Sequence, residues 1–526
     1  YLNMKHFHQY KFSVADIPAS IVVFLVALPL CLGVAVASDA LPVTGIIAGI
    51  AGGIVTGFLS KSHLSVSGPA AGLTAIVSGA LGKLPSYEVF LLSVILAGVF
   101  QILLGFLKAG VIGDFIPNSV IKGMLAAIGI ILILKQIPHF LGYDADPVGD
   151  ETFLQKDKQN TFSEIINAFK HPTAGAIIIG FIAMAILLLF ETKLIKKQKL
   201  FTYIPGPLIV VVTAILINAL FQSTFLDFTL RGDHLVLIPV FDTVGGFFNG
   251  LPKPDVSGLY NSQVWITAVT LAIVASLETL LSIEAVDKLD PEKAITPGNR
   301  ELKAQGAGNI VSGLLGGLPV TSVIVRSSAN VMAGARSKAS TIIHGCLLLV
   351  SILFFPELLN LIPLAALAAI LLFTGYKLAK ISLFREMYSK GWDQFVPFIV
   401  TVTAIIVSDL LKGIIIGLLT GLFFVLKSNF QTAVFVVKDE HRYLIRFRRE
   451  VSFLNKALVK STLEKIPDDT AVLIDATHSE FIDKDIIEVV NDFIINAESR
   501  GIRIYIKHSS GEKKKFFNDI TNREIK

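Results

Sequence analysis

Apolar residues in this chain fall in long runs, broken by short polar or glycine- and proline-rich stretches. A bilayer core of roughly 30 Å takes about 20 apolar residues per helix. By that rule, spans are predicted at residues 14–37, 42–59, 89–107, 120–137, 175–190 and 204–221 in the first half. The second half gives 265–283, 304–318, 342–355, 361–378, 395–411 and 413–426. Two short ones, 69–81 and 323–333, complete a set of about fourteen. From about residue 431 the pattern changes. "TAVFVVK", "RYLIRFR", "AVLID" and "IRIYIK" alternate as strands do. Residues 454–464 and 484–497 carry the helical period between them. The expected architecture is an α-helical polytopic membrane domain over residues 1–430, followed by a small cytoplasmic α/β domain over 431–526.

Composition narrows the function class. Of 526 residues, 53% are hydrophobic and 17% charged, which excludes an ordinary soluble enzyme. A net charge of +5, with the basic residues in loops between apolar segments, argues against a nucleic-acid partner. Cys31 and Cys346 lie in separate apolar stretches and form neither a disulfide framework nor a metal site. His478 stands alone in the α/β tail, so that domain is expected to regulate or assemble rather than catalyse. No P-loop is present, and neither ATP coupling nor a cofactor is expected. The first apolar run follows a polar stretch and contains Pro29, unlike a cleavable signal peptide. Lys and Arg gather on alternate loops: Lys61, Lys108, Lys193, Lys196, Lys197, Lys199, Arg300 and Lys338 on one side, and fewer, including Lys156 and Lys158, on the other. The positive-inside rule then puts both termini in the cytoplasm, in an inner (plasma) membrane.

The two halves share a device. "GIAGGIVTG" (49–57) precedes a short span opening in "SVSGPAAG", and "GNIVSGLLGGLPVTS" (308–322) precedes the other short span. Interrupted spans at matching positions point to a transporter's central site, although glycine-mediated helix packing produces similar runs. Helix N-termini carry unpaired N–H groups and partial positive charge, which suits anions. Ser67, Gly68, Pro69, Ala70 and Ala71 would open the first short helix; Val320, Thr321, Ser322 and Val323 would open the second. Phe24 on the first helix would wall the pocket. Arg326, inside the second short span, keeps its proton and would attract an anion. Glu278 lies mid-span in "AIVASLETLLSIEAVD" and would take a cation or proton, with a structural ion pair to Arg326 as the other reading. Ser282, one turn on, would add a hydroxyl oxygen for Na⁺. Glu284 and Asp287 fall at the helix end, as gate or interface residues at best. Lone His63 and His344 read as loop or packing residues.

These residues resemble the SulP anion transporter family. "VALPLCLGVAVAS" (26–38) is similar to its first helix, "SVSGPAAGLTAIV" (65–77) to its third and "GLPVTSVIVRSSANVMAGAR" (317–336) to its tenth. The tail resembles a STAS domain, with "LIDATHSEFIDKD" (473–485) at its central loop. The resemblance implies a seven-plus-seven inverted repeat, a core of spans 1–4 and 8–11 moving elevator-fashion against a gate of spans 5–7 and 12–14, and a homodimer in which the STAS domain takes part. It implies an anion site between the third and tenth helices, with Arg326 where many relatives have arginine. It places Glu278 where relatives put a carboxylate for sodium or proton coupling. The "ALPL" of 27–30 is closer to the bicarbonate type, whereas Arg326 departs from it. Lys484 stands where related domains carry a phosphorylatable serine. The expected function is secondary active transport of a small inorganic anion, bicarbonate or sulfate, coupled to Na⁺ or H⁺. An uncoupled chloride or anion exchanger or channel, and a membrane sensor with the STAS domain as output, are the alternatives.

Overall fold

A computed structural model describes residues 13–145, 153, 160–192, 204–224, 226–238, 240, 243–408, 410–430 and 434–507. Lys156, Lys158, Lys193, Lys196, Lys197 and Lys199, which entered the orientation argument, lie outside the described residues. The chain forms two compact units, Tyr1–Leu418 and Leu419–Lys526.

The first unit is helical. In chain order its elements are α1 (Asp16–Ala37), α2 (Pro42–Leu59), strand β1 (Ser67–Pro69), α3 (Ala71–Leu81), α4 (Tyr87–Phe106), α5 (Asn118–Leu141), α6 (Thr161–Lys170), α7 (Ala174–Glu191) and α8 (Gly206–Thr224). The second half continues with α9 (Ser262–Leu289), α10 (Gly298–Leu314), strand β2 (Val320–Ser322), α11 (Ile324–Met332), α12 (Ala339–Phe354), α13 (Leu364–Leu378), α14 (Ile381–Ser389), α15 (Trp392–Val407) and α16 (Leu410–Phe430). Eight helices among the described residues are long and apolar enough to cross a membrane. Most predicted spans fall on helices, but Ser67–Pro69 and Val320–Ser322, expected to open the two short helices, are instead the paired strands β1 and β2, and the helices start at Ala71 and Ile324. The span predicted to begin at residue 304 starts earlier, at Gly298, because polar residues of its first turns are buried against neighbours instead of lying in a loop.

Glycines let helices cross closely at three places, one of them in the 49–57 run. A Cβ on Gly98 of α4 would stand 2.5 Å from the Gly306 carbonyl oxygen of α10. Gly53 of α2 meets Gly345 of α12 in the same way, and Gly129 of α5 meets Gly375 of α13. Backbone against backbone gives membrane helices their dispersion contacts, since lipid offers no hydrophobic drive between helices. The packing reading therefore holds for Gly53 of the first run. Gly52 does something else: it lies in a π-helical turn (Gly52–Thr56) and lets α2 approach the Ser67 carbonyl, where a Cβ would come within 2.4 Å.

At the end of α5, a buried Asp144 joins two histidines. Nδ1 of His139 and of His234 each lie 2.6 Å from a different oxygen of its carboxylate. Burial alone would raise the Asp144 carboxyl, but the two hydrogen bonds outweigh it and hold it below the usual 3.8. His234 moves above 6.5, raised by its hydrogen bond to Asp144 against the effect of burial. A depressed carboxyl stabilises above its unfolded value, and a raised histidine stabilises below its own. The clasp is therefore strongest between about pH 4 and 6.5 and weakens as pH rises through the raised His234 value. The melting temperature of the wild type should exceed that of His234→Asn at pH 6, with the gap narrowing as pH rises through the raised His234 value. A gap that does not change with pH would refute the clasp.

The second unit has its own core. A four-stranded sheet runs in the order β3 (Val434–Asp439), β4 (Arg442–Phe447), β6 (Ala471–Asp475), β8 (Arg503–Lys507). The β3–β4 pair is antiparallel, and β4–β6 and β6–β8 are parallel. Short strands β5 (Glu450–Val451) and β7 (Phe481–Ile482) pair beside it. Helices α17 (Lys456–Glu464) and α18 (Lys484–Ala497) supply Val459, Leu463, Ile486 and Val490 to a core shared with Ile445, Val472 and Ile474. All four predicted strands and both predicted helices are present in this small STAS-like α/β fold. Lys484 is the first residue of α18, whose N-terminus is capped by the Asp483 carboxylate accepting from the Asp485 N–H.

Candidate functional site

The two chain breaks meet. β1 and β2 pair antiparallel, with Ser67 opposite Ser322, Gly68 opposite Thr321 and Pro69 opposite Val320. An antiparallel pair has a local two-fold axis, so α3 and α11 leave it in opposite directions, one from each end of the pair. Extended backbone inside a bilayer is tolerated only where protein satisfies its polar groups. Here side chains do so. Asn309 Nδ2 donates to the Val320 carbonyl at 2.9 Å, and its Oδ1 accepts from the Val320 N–H at 2.6 Å. Ser327 Oγ accepts from the Val66 N–H, Asn330 donates to the Leu64 carbonyl and Thr341 to the Ser65 carbonyl.

The same network occupies several hydroxyls expected to face an anion. Gln305 Nε2 donates to Ser67 Oγ at 2.6 Å. Ser322 Oγ lies 2.5 Å from Ser65 Oγ, and the Ser322 N–H donates to Thr279 Oγ1. Thr321 is fully buried, and its hydroxyl donates to the Ser322 carbonyl at 3.4 Å. Gly68 and Ala70 are buried too, whereas Ala71, Gly72 and Val323 remain partly open. The open face of the break is thus backbone and small side chains, and the first-turn amides of α3 and α11 have no partner within their own helices.

Arg326 is the largest fully buried side chain among the described residues. Its Nη2 donates to the Pro69 carbonyl at 3.3 Å, while Nε and Nη1 have no hydrogen-bond partner. A Cβ on Gly68 would fall 2.0 Å from Nη1, and one on Gly49 of α2 would fall 4.0 Å from it. The guanidinium is therefore wedged behind β1 against α2, not extended into an open hollow. A Cβ on Gly49 would also touch the sulfur of Cys31 on α1. Phe24 lies about two turns before Cys31 on the same stripe of α1 and is half-buried. His344 of α12 is fully buried, with neither ring nitrogen hydrogen-bonded. It is a packing residue, as the sequence suggested.

Glu278 occupies another place. A Cβ on Gly72, in the first turn of α3, would stand 3.0 Å from its Oε1. The carboxylate and the guanidinium thus sit at separate glycines of one break. Glu278, Ser282 and Gly72 line a small cavity closed on its far side by Met124 of α5 and by Leu410, Leu411 and Ile414 of α16. Thr279, the next residue on α9, holds the other break. Glu284 pairs with Lys288 at 3.7 Å, and Asp287 accepts from the N–H and hydroxyl of Thr296. Both serve the helix end.

A wider cleft of about 200 Å³ opens between α1, α11 and α13, lined by Pro18, Val22, Ala329, Met332, Ile370 and Lys377. Lys377 bonds Glu191 of α7 and lies over the Phe373 ring at 4.3 Å. Two groups that sequence reasoning missed are the buried row Glu301, Gln305, Asn309 on α10 and Lys135 on α5. The row had a signal: polar residues one turn apart on one helix face. Ser60 Oγ donates to Glu301 Oε2 at 2.5 Å, so the row ties α2, β1 and β2 together.

The chain is 28% identical over 439 residues to the putative sulfate transporter YvdB of Bacillus subtilis, covering 82% of this chain and 77% of that protein. It is 27% identical over 380 residues to the bicarbonate transporter BicA of Picosynechococcus, covering 70% and 62% respectively. The fold matches the transmembrane domain of a cyanobacterial bicarbonate transporter BicA with a TM-score of 0.54 at 23% identity, covering 77% of this chain and 96% of that one. It matches the murine Slc26a9 anion transporter in its inward-facing state with a TM-score of 0.66 at 16% identity, covering 94% and 86%. The model of the sulfate permease family aligns with residues 14–403, and the chain belongs to that family of anion transporters.

Proposed function

We propose that this protein is a secondary active transporter of a small inorganic anion, bicarbonate or sulfate. The reading rests above all on the antiparallel β1–β2 pair, from whose two ends opposed short helices start, next to the buried Arg326. The anion lies at the amides of Ala71, Gly72 and Ile324, with Val323, whose N–H is taken by the Val66 carbonyl, shaping the seat through its side chain. Ser67, Gly68, Pro69, Ala70, Thr321 and Ser322 shape that seat from within the paired strands, and Phe24 walls it. Arg326 acts through its fixed charge from behind β1. A seat of amides and small side chains has no room for bulky recognition groups, which favours a small anion.

Na⁺ or H⁺ binds with the anion at Glu278, beside Ser282, and offsets the cost of carrying an anion into a negative interior, about 2.3 kcal/mol per charge per 100 mV. The core, spans 1–4 and 8–11, moves against the gate, spans 5–7 and 12–14, and the cleft at Lys377 is the cytoplasmic approach. Both termini are cytoplasmic in the plasma membrane, with the transport domain over residues 1–430 and the STAS-like domain over 431–526. Two copies associate with the STAS-like domain involved.

Proteoliposome uptake tests the reading. Labelled bicarbonate or sulfate should accumulate against its gradient only when a Na⁺ or H⁺ gradient is imposed. Conductive flux without either gradient would identify a channel, and no flux at all would refute transport.

A further inference from the structure

Helix α6 is built inside out for a loop in water. Its buried positions are Thr161, Glu164 and Ala168, and its outward stripe is apolar: Phe162 is 51% exposed, Ile166 56% and Phe169 67%. A helix at a water-facing surface turns its polar side outward. Here the acidic residue faces the protein, where Glu164 Oε2 lies 3.5 Å from Lys135 Nζ and both side chains are nearly fully covered. The helix is no accident of a loose loop. Asn160 caps it by accepting from the N–H groups of Phe162 and Ser163, and Ser163 Oγ accepts from the Asn160 N–H in return.

Depth follows from the same pair. Lys135 lies about 9 Å inside the end of α5 at ~1.5 Å per residue. The pair holds the middle of α6 against the last turns of α5. Only His171–Thr173 separate α6 from the start of α7, so its C-terminal end is held at the membrane boundary as well. The apolar stripe continues an exposed apolar surface on α7, where Phe181 is 62% exposed and Leu188 54%. At the end of α6, Lys170 and His171 are exposed.

We infer that α6 is an interfacial helix lying in the bilayer leaflet at which α5 ends, with Phe162, Ile166 and Phe169 against acyl chains and Lys170 and His171 at lipid phosphates. The ion pair from Glu164 to Lys135 anchors it to α5 and fixes its depth. Lipid is the occupant because the stripe is continuous with the exposed apolar surface of α7 and is flanked by the cation of Lys170, the arrangement of amphipathic helices that lie on membranes.

Site-directed spin labelling of the full chain in phosphatidylethanolamine–phosphatidylglycerol vesicles tests this. Ile166→Cys and, separately, Phe169→Cys are labelled in a Cys346→Ala background; Cys31 is fully buried. Phe181→Cys on α7 serves as the lipid reference and Lys253→Cys as the water reference. The ratio of oxygen to nickel-chelate collision rates at 166 and 169 should match that at 181 and exceed that at 253 several-fold. Nickel access like that at 253 would make α6 an aqueous helix. Exclusion of both reagents would mean that protein, such as a second copy, covers the stripe. Either result overturns the inference, and two independent label sites keep the test alive should one variant fail to fold.

Discussion

Arg326→Met should raise the half-saturating anion concentration by roughly 30-fold while leaving the protein folded. A unit charge roughly 8 Å from an anion, at an effective dielectric of about 20, contributes about 2 kcal/mol, and about 1.4 kcal/mol corresponds to tenfold. The same substitution should cost little stability. Arg326 is fully buried, with Nε and Nη1 lacking partners and only one hydrogen bond to the Pro69 carbonyl. Replacing a poorly paired buried charge by an apolar side chain of similar length is often neutral or stabilising. Uptake kinetics and a melting curve on the same preparation separate the two effects. Unchanged half-saturation with normal melting would remove Arg326 from anion binding. Gly68→Ala gives an independent check, because its methyl would overlap the guanidinium and should reproduce the binding defect without touching the charge itself.

Glu278→Gln should abolish gradient-driven accumulation but leave anion exchange intact. Glutamine keeps the shape that packs against Gly72 and loses the charge that would hold Na⁺ or the site that would take a proton. Without the coupled cation, a monovalent anion entering against 100 mV loses about 2.3 kcal/mol of drive, which corresponds to a roughly 50-fold lower accumulation ratio. Accumulation at a fixed potential and self-exchange at zero potential are the two measurements. Should the variant still concentrate the anion with the same cation gradient, the coupling site lies elsewhere. Loss of exchange as well as accumulation would instead mark Glu278 as part of the anion seat.

Hydropathy was enough to find the helices, because length and apolarity alone decide whether a segment can cross a bilayer. It was also enough to find both breaks, since Gly68–Pro69 and Leu318–Pro319 interrupt apolar runs in ways that a continuous helix does not tolerate. The α/β tail was equally legible: alternation in 442–447 and 471–475 marks half-buried strands whatever the rest of the molecule does. Glu301 was not legible as a buried residue, because a span rule that counts apolar residues starts the helix after it. The Ser60 hydroxyl and Gln305 make a carboxylate acceptable there. Lys135 escaped for a related reason: its partner Glu164 comes from a short helix that no span rule detects.

Sequence by itself determined that this chain is a polytopic membrane protein with two interrupted spans, two charged residues near them and a separate α/β tail. Those are local properties, set by transfer free energy and backbone preference over a few turns of chain. Tertiary structure alone decided how the breaks pair, since Arg326 and the Pro69 carbonyl are 257 residues apart in sequence. It also decided that the Ser67 and Ser322 hydroxyls serve the protein, that the guanidinium stands behind β1 and that the carboxylate of Glu278 faces Gly72. A long side chain can reach several places from one backbone position. Which of them it occupies depends on where glycines elsewhere in the chain leave room.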